Sequence, residues 1–245
     1  MPPINAILRH LPAASGEIYV EFEFKPGRLA LPDIACDLIW TGEDLRVIGP
    51  MRRGLVVNGG WASMSLLTLD IRRVATILGV PPGELTDLQI PIQDIAPAFA
   101  APLEDLFAMG GAAALVGRPA PAPDAHPALI HAAARLAAGA PPRRAVQEVA
   151  WTSRHFRRRF QEAFGMSPGE FRRVARFRRA VRAMRAGRSL AEAALQGGYA
   201  DQPHFNRECK ELMGMTPRAV LAGLDGADAA EGFSVGHRGD ADAAA

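Results

Sequence analysis

The chain has 245 residues, of which 49 % are hydrophobic and 22 % charged, and its formal net charge is +2. This length exceeds one typical domain and predicts two. No stretch approaches the roughly eighteen uninterrupted apolar residues of a membrane span, and MPPINAILRHLPAA lacks the charged opening and long apolar core of a secretory leader. The near-zero balance hides a strong asymmetry. Residues 1–125 carry nine Lys and Arg against fourteen Asp and Glu, residues 126–222 carry eighteen against seven, and residues 223–245 one against five. A basic segment between acidic neighbours is the footprint of a polyanion binder. Cys36 and Cys209 lie far apart and outside any metal-ligand spacing, which fits a reducing cytoplasm.

Along the chain, the first hundred residues read mostly as strands. EIYVEFEF (Glu17–Phe24) alternates polar and apolar side chains as a half-buried strand does, and Pro26-Gly27 marks a turn. CDLIW (Cys36–Trp40), the turn TGED and LRVIG (Leu45–Gly49) form a hairpin pattern, continued by GLVVNGG and by Met64–Ile71. Ala75–Leu85 reads as a short helix ended by Gly79 and a Pro pair. Asp94–Met109 reads as a longer one with Phe99, Leu103, Leu106 and Phe107 on one side. Residues 1–109 are thus expected to be an α+β regulatory or dimerisation domain. Gly110–Pro127, rich in Ala, Pro and Gly, reads as a semi-stiff linker unable to bury a core. Ala128–Ala138 reads as a helix packed on the next helical unit, residues 128–222 as an all-helical domain, and the acidic tail 223–245 as disordered.

The all-helical part repeats itself. HFRRRFQEAFGMSP (155–168) and HFNRECKELMGMTP (204–217) superpose on a shift of 49 residues, pairing Phe156 with Phe205, Arg158 with Arg207, Gly165 with Gly214 and Pro168 with Pro217. Such an echo marks one supersecondary unit used twice. Thr152 and Asp201 are candidate N-caps, and Gly followed by Ser/Thr-Pro ends one helix and starts the next. Phe156, Phe160, Ala163 and Phe164 fall on one stripe, matched by Phe205, Cys209, Leu212 and Met213. The opposite face carries Arg154, Arg157, Arg158 and Gln161 in the first copy, and Gln202, Asn206 and Arg207 in the second. These side chains hydrogen-bond base edges and phosphates, and a helix–turn–helix presents its second helix to the major groove in this way. Preceding helices are expected at Ala145–Ala150 and Ala194–Tyr199, with Gly198 supplying the turn in the second unit and no equivalent Gly in the first.

Between the copies, Gly169–Ala186 reads as a connecting helix with Val174, Phe177, Val181 and Met184 inward, and Arg172, Arg173, Arg176 and Arg179 pointing away. At about 1.5 Å per residue it is a rod near 27 Å, close to the roughly 34 Å of one duplex turn.

TSRHFRRRFQEAFGMSPGEFRRVARFRRA (Thr152–Ala180) and LAEAALQGGYADQPHFNRECKELMGMTP (Leu190–Pro217) resemble the AraC/XylS-type DNA-binding domain, two helix-turn-helix units joined by a long helix. The resemblance implies a cytoplasmic transcription regulator that binds double-stranded DNA, with RNA polymerase or a second protomer as further partner. It implies that Arg154, Arg157 and Arg158 sit where the family reads DNA. LPDIACDLIW, VIGP and LGVPPGELTDLQIPIQDI resemble an uncharacterised N-terminal domain often fused to such pairs, although Leu69-Asp70-Ile71-Arg72-Arg73 departs from its Gly-x-Arg-Phe-x-Pro-Gly. That domain carries over no ligand; a small-molecule effector pocket and a dimer surface are its two usual roles.

Each functional reading has a plainer rival. The arginines either contact bases or clamp phosphates, and Arg172, Arg173 and Arg176 join the phosphate candidates. Arg159 lies nearer the core edge. His155 and His204 lack ligand partners and read as packing or phosphate contacts. Cys36 and Cys209 read as core, as do Trp40 and Trp61 in preference to a pocket lining. No phosphate loop, nucleophile elbow or HExxH occurs, so neither an enzyme nor a cofactor is expected. The remaining alternatives are a DNA-targeted N-terminal domain that performs chemistry and a non-specific architectural binder.

Overall fold

The computed structural model describes residues 16–23, 28–57, 63–116, 125–147, 149 and 151–224. The N-terminal region is built on antiparallel strands: β1 (Gly16–Glu23), β2 (Arg28–Ala30), β3 (Cys36–Trp40), β4 (Leu45–Ile48), β5 (Leu55–Val57), β6 (Ser63–Leu69) and β7 (Gln89–Pro91). Five of them form one sheet in the order β1-β6-β3-β4-β7, while β2 and β5 pair separately. The β3–β4 hairpin has the expected register, Trp40 opposite Leu45, and its turn is closed by the Thr41 amide donating to the Asp44 carbonyl at 3.0 Å. Strand alternation buries Cys36, Leu38, Leu45, Val47, Leu67 and Leu69.

The segment Leu69–Arg73 has its own local logic. Asp70 caps a short 3-10 turn, Ile71–Arg73, by accepting the Arg72 amide at 3.0 Å, and it ion-pairs with both Arg72 and Arg73. The helix expected over Ala75–Leu85 is two: α1 (Val74–Leu78), ended by Gly79 in the left-handed region, and α2 (Pro82–Leu85). The helix expected over Asp94–Met109 is also broken. Pro97 starts a new helix after Ala96, giving α3 (Ile92–Ile95) and α4 (Pro97–Ala108). The latter lies across β3 and β4 with Leu103, Leu106 and Phe107 buried.

The stretch read as a linker is not wholly a spacer. Ala112–Leu115 form a 3-10 turn in which Ala112 and Leu115 are completely buried, and Ala125 is buried too. Composition undercounted it, because two methyl-bearing side chains suffice to close an existing core. The Pro26-Gly27 turn, Trp61, the middle of the linker (117–124) and the tail (225–245) lie outside the described residues.

The C-terminal region is helical: α5 (Pro127–Ala137), α6 (Pro142–Gln147), α7 (Ser153–Phe164), α8 (Pro168–Arg185), α9 (Leu190–Gly197), α10 (Gln202–Met213) and α11 (Pro217–Gly223). The two halves share buried side chains. One continuous core runs from Ile34 through the sheet and α4 to Phe156, Phe160, Phe164 and Phe171, and a second gathers Phe177, Tyr199, Phe205 and Leu212 around Leu29 of β2. Among the described residues no helix is long and apolar enough to cross a membrane.

The seam between the halves carries a carboxylate pair. Asp33 accepts Arg178 Nη1 of α8 at 2.9 Å, and Asp37 accepts the Thr68 hydroxyl at 2.7 Å. Burial, with repulsion from Asp33, pushes the Asp37 carboxyl up to about 7. A carboxyl raised on folding holds more protons folded than unfolded between about pH 4 and pH 7, so stability declines as pH rises through that window and levels off above it. The melting temperature is expected to drop between about pH 4 and pH 7, and Asp37→Asn to flatten that drop. An identical pH profile for the variant would contradict this assignment.

Candidate nucleic-acid interface

Each repeated helix is built by the same local devices. Thr152 accepts the His155 amide at 3.3 Å to start α7, and Asp201 accepts the His204 amide at 2.7 Å to start α10. Gly165 and Gly214 end them in the left-handed region, with φ of 73° and 72°. Ser167 and Thr216 then start the next helices, Ser167 through a full capping box with Glu170. Of the first stripe Phe156, Phe160 and Phe164 are buried and Ala163 is half-buried, while Phe205, Cys209, Leu212 and Met213 are all buried in the second copy.

With that stripe inward, α7 turns Arg154, Arg157, Arg158 and Gln161 to solvent. Arg154 and Arg157 make no ion pair or hydrogen bond with the described residues. Arg158 stands 4.0 Å from Glu162, which Arg159 holds at 3.0 Å. Such exposed pairs contribute little and separate readily when a stronger anion arrives. On α10, Arg207 is exposed while Gln202 and Asn206 are half-buried, and the Asn206 Oδ1 is buried without a hydrogen-bond partner among the described residues. The two faces are therefore unequal, the first being far more cationic. Arg143, Arg144 and Arg188 are further exposed cations; the capping box Ser189–Glu192 that opens α9 beside Arg188 is the signal that would have drawn attention to that one.

The histidines at equivalent places pack on aromatic rings. His155 lies edge-on to Trp151 at 4.9 Å between ring centres, and His204 to Tyr199 at 5.2 Å. Among the described residues no three His, Cys, Asp or Glu side chains are grouped to hold a metal ion. In the second unit Gly198 makes the turn at φ 82°; the first unit's turn passes through residues 148 and 150, which lie outside the described residues. The helices before the turns are α6 and α9, so the first begins three residues earlier than the expected Ala145 and the second four residues earlier than Ala194.

Arg172, Arg173, Arg176 and Arg179 lie off the apolar side of the connecting helix, as expected, but they are half-buried and meet protein partners. The connecting helix α8 is covered on one side by α5 and on another by the second unit, so few of its faces remain free. Arg172 Nε donates to the Gly139 carbonyl at 3.2 Å, and Arg179 donates to the carbonyls of Ala137 and Gly197. Ala137 and Gly139 lie at the C-terminal end of α5, where the helix dipole favours positive charge. Arg173 pairs with Glu208 at 2.9 Å and also with Glu211. Arg176 stacks over the Tyr199 ring at 4.2 Å. Burial and the neighbouring guanidiniums hold Arg172 and Arg179 below their usual pKa. This row of cations is fixed by backbone carbonyls, a ring and two carboxylates.

Residues 145–223 match a family model described as a helix-turn-helix domain. No curated protein matches the chain. Among solved structures, ToxT from Vibrio cholerae at 1.65 Å superposes with a TM-score of 0.50 and 12 % identity, covering 85 % of this chain and 99 % of that one. A second ToxT structure, from Vibrio cholerae O395, has a TM-score of 0.48 and 12 % identity over 86 % and 98 %. At such identity the likeness is one of fold, a β-rich N-terminal region followed by helices.

Removing Arg179 strands two carbonyls at the junction of α5, α8 and α9. Arg179→Ala is therefore expected to cost about 1–3 kcal/mol of stability, read as a lower denaturant midpoint at constant m-value. A midpoint unchanged from wild type would refute that structural role. The repeated capped helices, their turns and the family match together identify residues 145–223 as a helix-turn-helix domain.

Proposed function

We propose that this protein is a sequence-specific regulator whose two recognition helices, α7 and α10, enter successive major-groove segments on one face of a duplex in the cytoplasm. One observation carries the reading above all others: α7 exposes Arg154, Arg157, Arg158 and Gln161 from a helix whose opposite stripe is locked in the core. Arginine is the side chain best suited to guanine O6 and N7, and Arg158 lies at the position the repeat shares with Arg207. The 18-residue connecting helix spaces the readers by about 27 Å, which suits adjacent grooves. Unit one supplies most of the phosphate attraction, and unit two, with Arg207 exposed and Gln202 and Asn206 half-sunk, adds discrimination. Arg172, Arg173 and Arg176 serve this interface indirectly, by holding the connecting helix to α5 and to unit two.

The N-terminal region modulates the reader, as an effector sensor or by pairing protomers. A cleft of about 540 Å³ between it and α8, lined by Met51, Arg53, Leu55, Leu88 and Val174 among others, is the candidate effector site. Saturating a metabolite panel against the full chain is expected to yield at least one compound that raises the melting temperature, and Leu88→Trp, which crowds the cleft from an exposed position, to abolish the rise. A panel without any stabiliser, together with concentration-dependent dimerisation in light scattering, would favour the pairing role.

Selection from a random duplex pool is expected to return a bipartite motif. Arg158→Ala should lose preference at one position of its first half, at about 1–3 kcal/mol for the lost bidentate contact. Arg154→Ala and Arg157→Ala should weaken all duplexes alike and lower the log–log salt slope by about 0.9 for each phosphate contact removed. A wild-type pool with no enriched motif would defeat the specific reading and leave an architectural binder.

A further inference from the structure

The C-terminal ends of both recognition helices rest on one small piece of the N-terminal region. At the end of α7, the Thr86 hydroxyl donates to the Gly165 carbonyl at 2.6 Å. Gly83 of α2 lies so close to the same turn that a Cβ there would stand 3.0 Å from the Gln161 carbonyl oxygen and 3.3 Å from the Glu162 Cα. At the end of α10, the Gly54 amide donates to the Leu212 carbonyl at 2.9 Å. A Cβ on Gly54 would meet Met213 Sδ at 2.2 Å and the Ala30 carbonyl at 2.6 Å. In both places a donor from the N-terminal region meets a backbone carbonyl at the end of a recognition helix.

These two grips are tied to each other. Asp87, next to Thr86, is the one non-glycine with positive φ among the described residues, at 60°. Its amide donates to the Pro50 carbonyl at 2.8 Å, and its carboxylate accepts the Arg52 amide at 2.8 Å and Arg52 Nε at 2.6 Å. The Gly49 amide donates to the Leu88 carbonyl at 3.1 Å. Residues 49–54 and 85–88 thus form one stitched strap. An Asp held in the left-handed region costs conformational energy, and the bonds made by its carboxylate and amide offset it.

We propose that this strap is a brace that fixes how the two recognition helices are turned relative to each other, so that Thr86, Asp87 and Gly54 are positioning residues for half-site spacing. The proposal rests on the two-groove reading of α7 and α10. A single connecting helix sets the distance between two bodies but leaves rotation about its own axis soft, and a second attachment on each body, at the Gly165 and Leu212 carbonyls, restricts that freedom. Inserting one base pair moves the second groove segment by about 3.4 Å and turns it by roughly 35°, a change that a braced pair cannot follow and a loosened pair can.

The test uses the full chain and duplexes carrying the selected bipartite motif at its own spacing, with one base pair added or removed, together with a duplex holding only the first segment. Wild type is expected to lose at least about tenfold in affinity, or about 1.4 kcal/mol, on either spacing change. Asp87→Gly, which keeps the backbone conformation while removing the carboxylate's two bonds to Arg52, and Thr86→Val should reduce that loss to about threefold or less, equivalent to about 0.7 kcal/mol. Both should bind the single-segment duplex as wild type does. Arg52→Ala, which removes the Nε bond to Asp87 and the 3.4 Å contact with Glu170 of α8, replaces Asp87→Gly should the latter melt much lower than wild type. A spacing penalty unchanged in folded variants overturns the brace. A wild-type protein indifferent to spacing overturns the two-groove reading, and the brace with it.

Discussion

The structure depends on one helix serving two cores. α8 places Phe171, Val174 and Ala175 into the core shared with the sheet and α7, and Phe177, Ala180, Val181, Ala183 and Met184 into the core of the second unit. Phe171 meets Phe160 and Phe164 edge-on, at 5.3 and 5.6 Å between ring centres. Phe177 faces Phe205 at 6.4 Å. Each fully buried phenylalanine contributes about 1.5–3 kcal/mol, so a few rings supply much of the hold at both ends. The helix is more than a spacer, because it lends side chains to the core on either side of it.

That double burial explains the fate of its charge. A helix covered on several faces has few directions left for long cationic side chains, and five arginines of α8 end on protein partners: Arg172 and Arg179 on carbonyls, Arg173 on Glu208 and Glu211, Arg176 on Tyr199 and Arg178 on Asp33. The positive excess of residues 126–222 therefore overstates the charge available to a polyanion. Among what remains outward, α7 carries Arg154, Arg157, Arg158 and Arg159 on the side opposite its buried stripe. Guanidiniums on carbonyls at a helix end gain from the dipole while losing hydration, which is a structural use of the residue type that also binds phosphate.

The N-terminal region, for its part, is packed against both readers. Leu29 of β2 sits in the second unit's core, Thr86 and Gly83 touch the end of α7, and Gly54 touches the end of α10. Those few points join this region directly to α7 and α10. Arg178–Asp33, at 2.9 Å, adds a direct tie to the connecting helix beside the carboxyl of Asp37.

The duplicated helices, their caps and their buried stripes were readable from residues alone, because N-caps, left-handed glycines and 3.6-residue periodicity act within one or two turns. The β3–β4 hairpin was readable for the same reason: its turn and alternation are local. The order β1-β6-β3-β4-β7, the short strands β2 and β7 and the burial of Ala112 and Leu115 were not, since three-residue strands and small side chains gain their meaning from partners far along the chain. Arg172, Arg173 and Arg176 show the limit most clearly. Their spacing marks one side of a helix, but only packing decides whether that side meets solvent, and here α5 and the second unit occupy it.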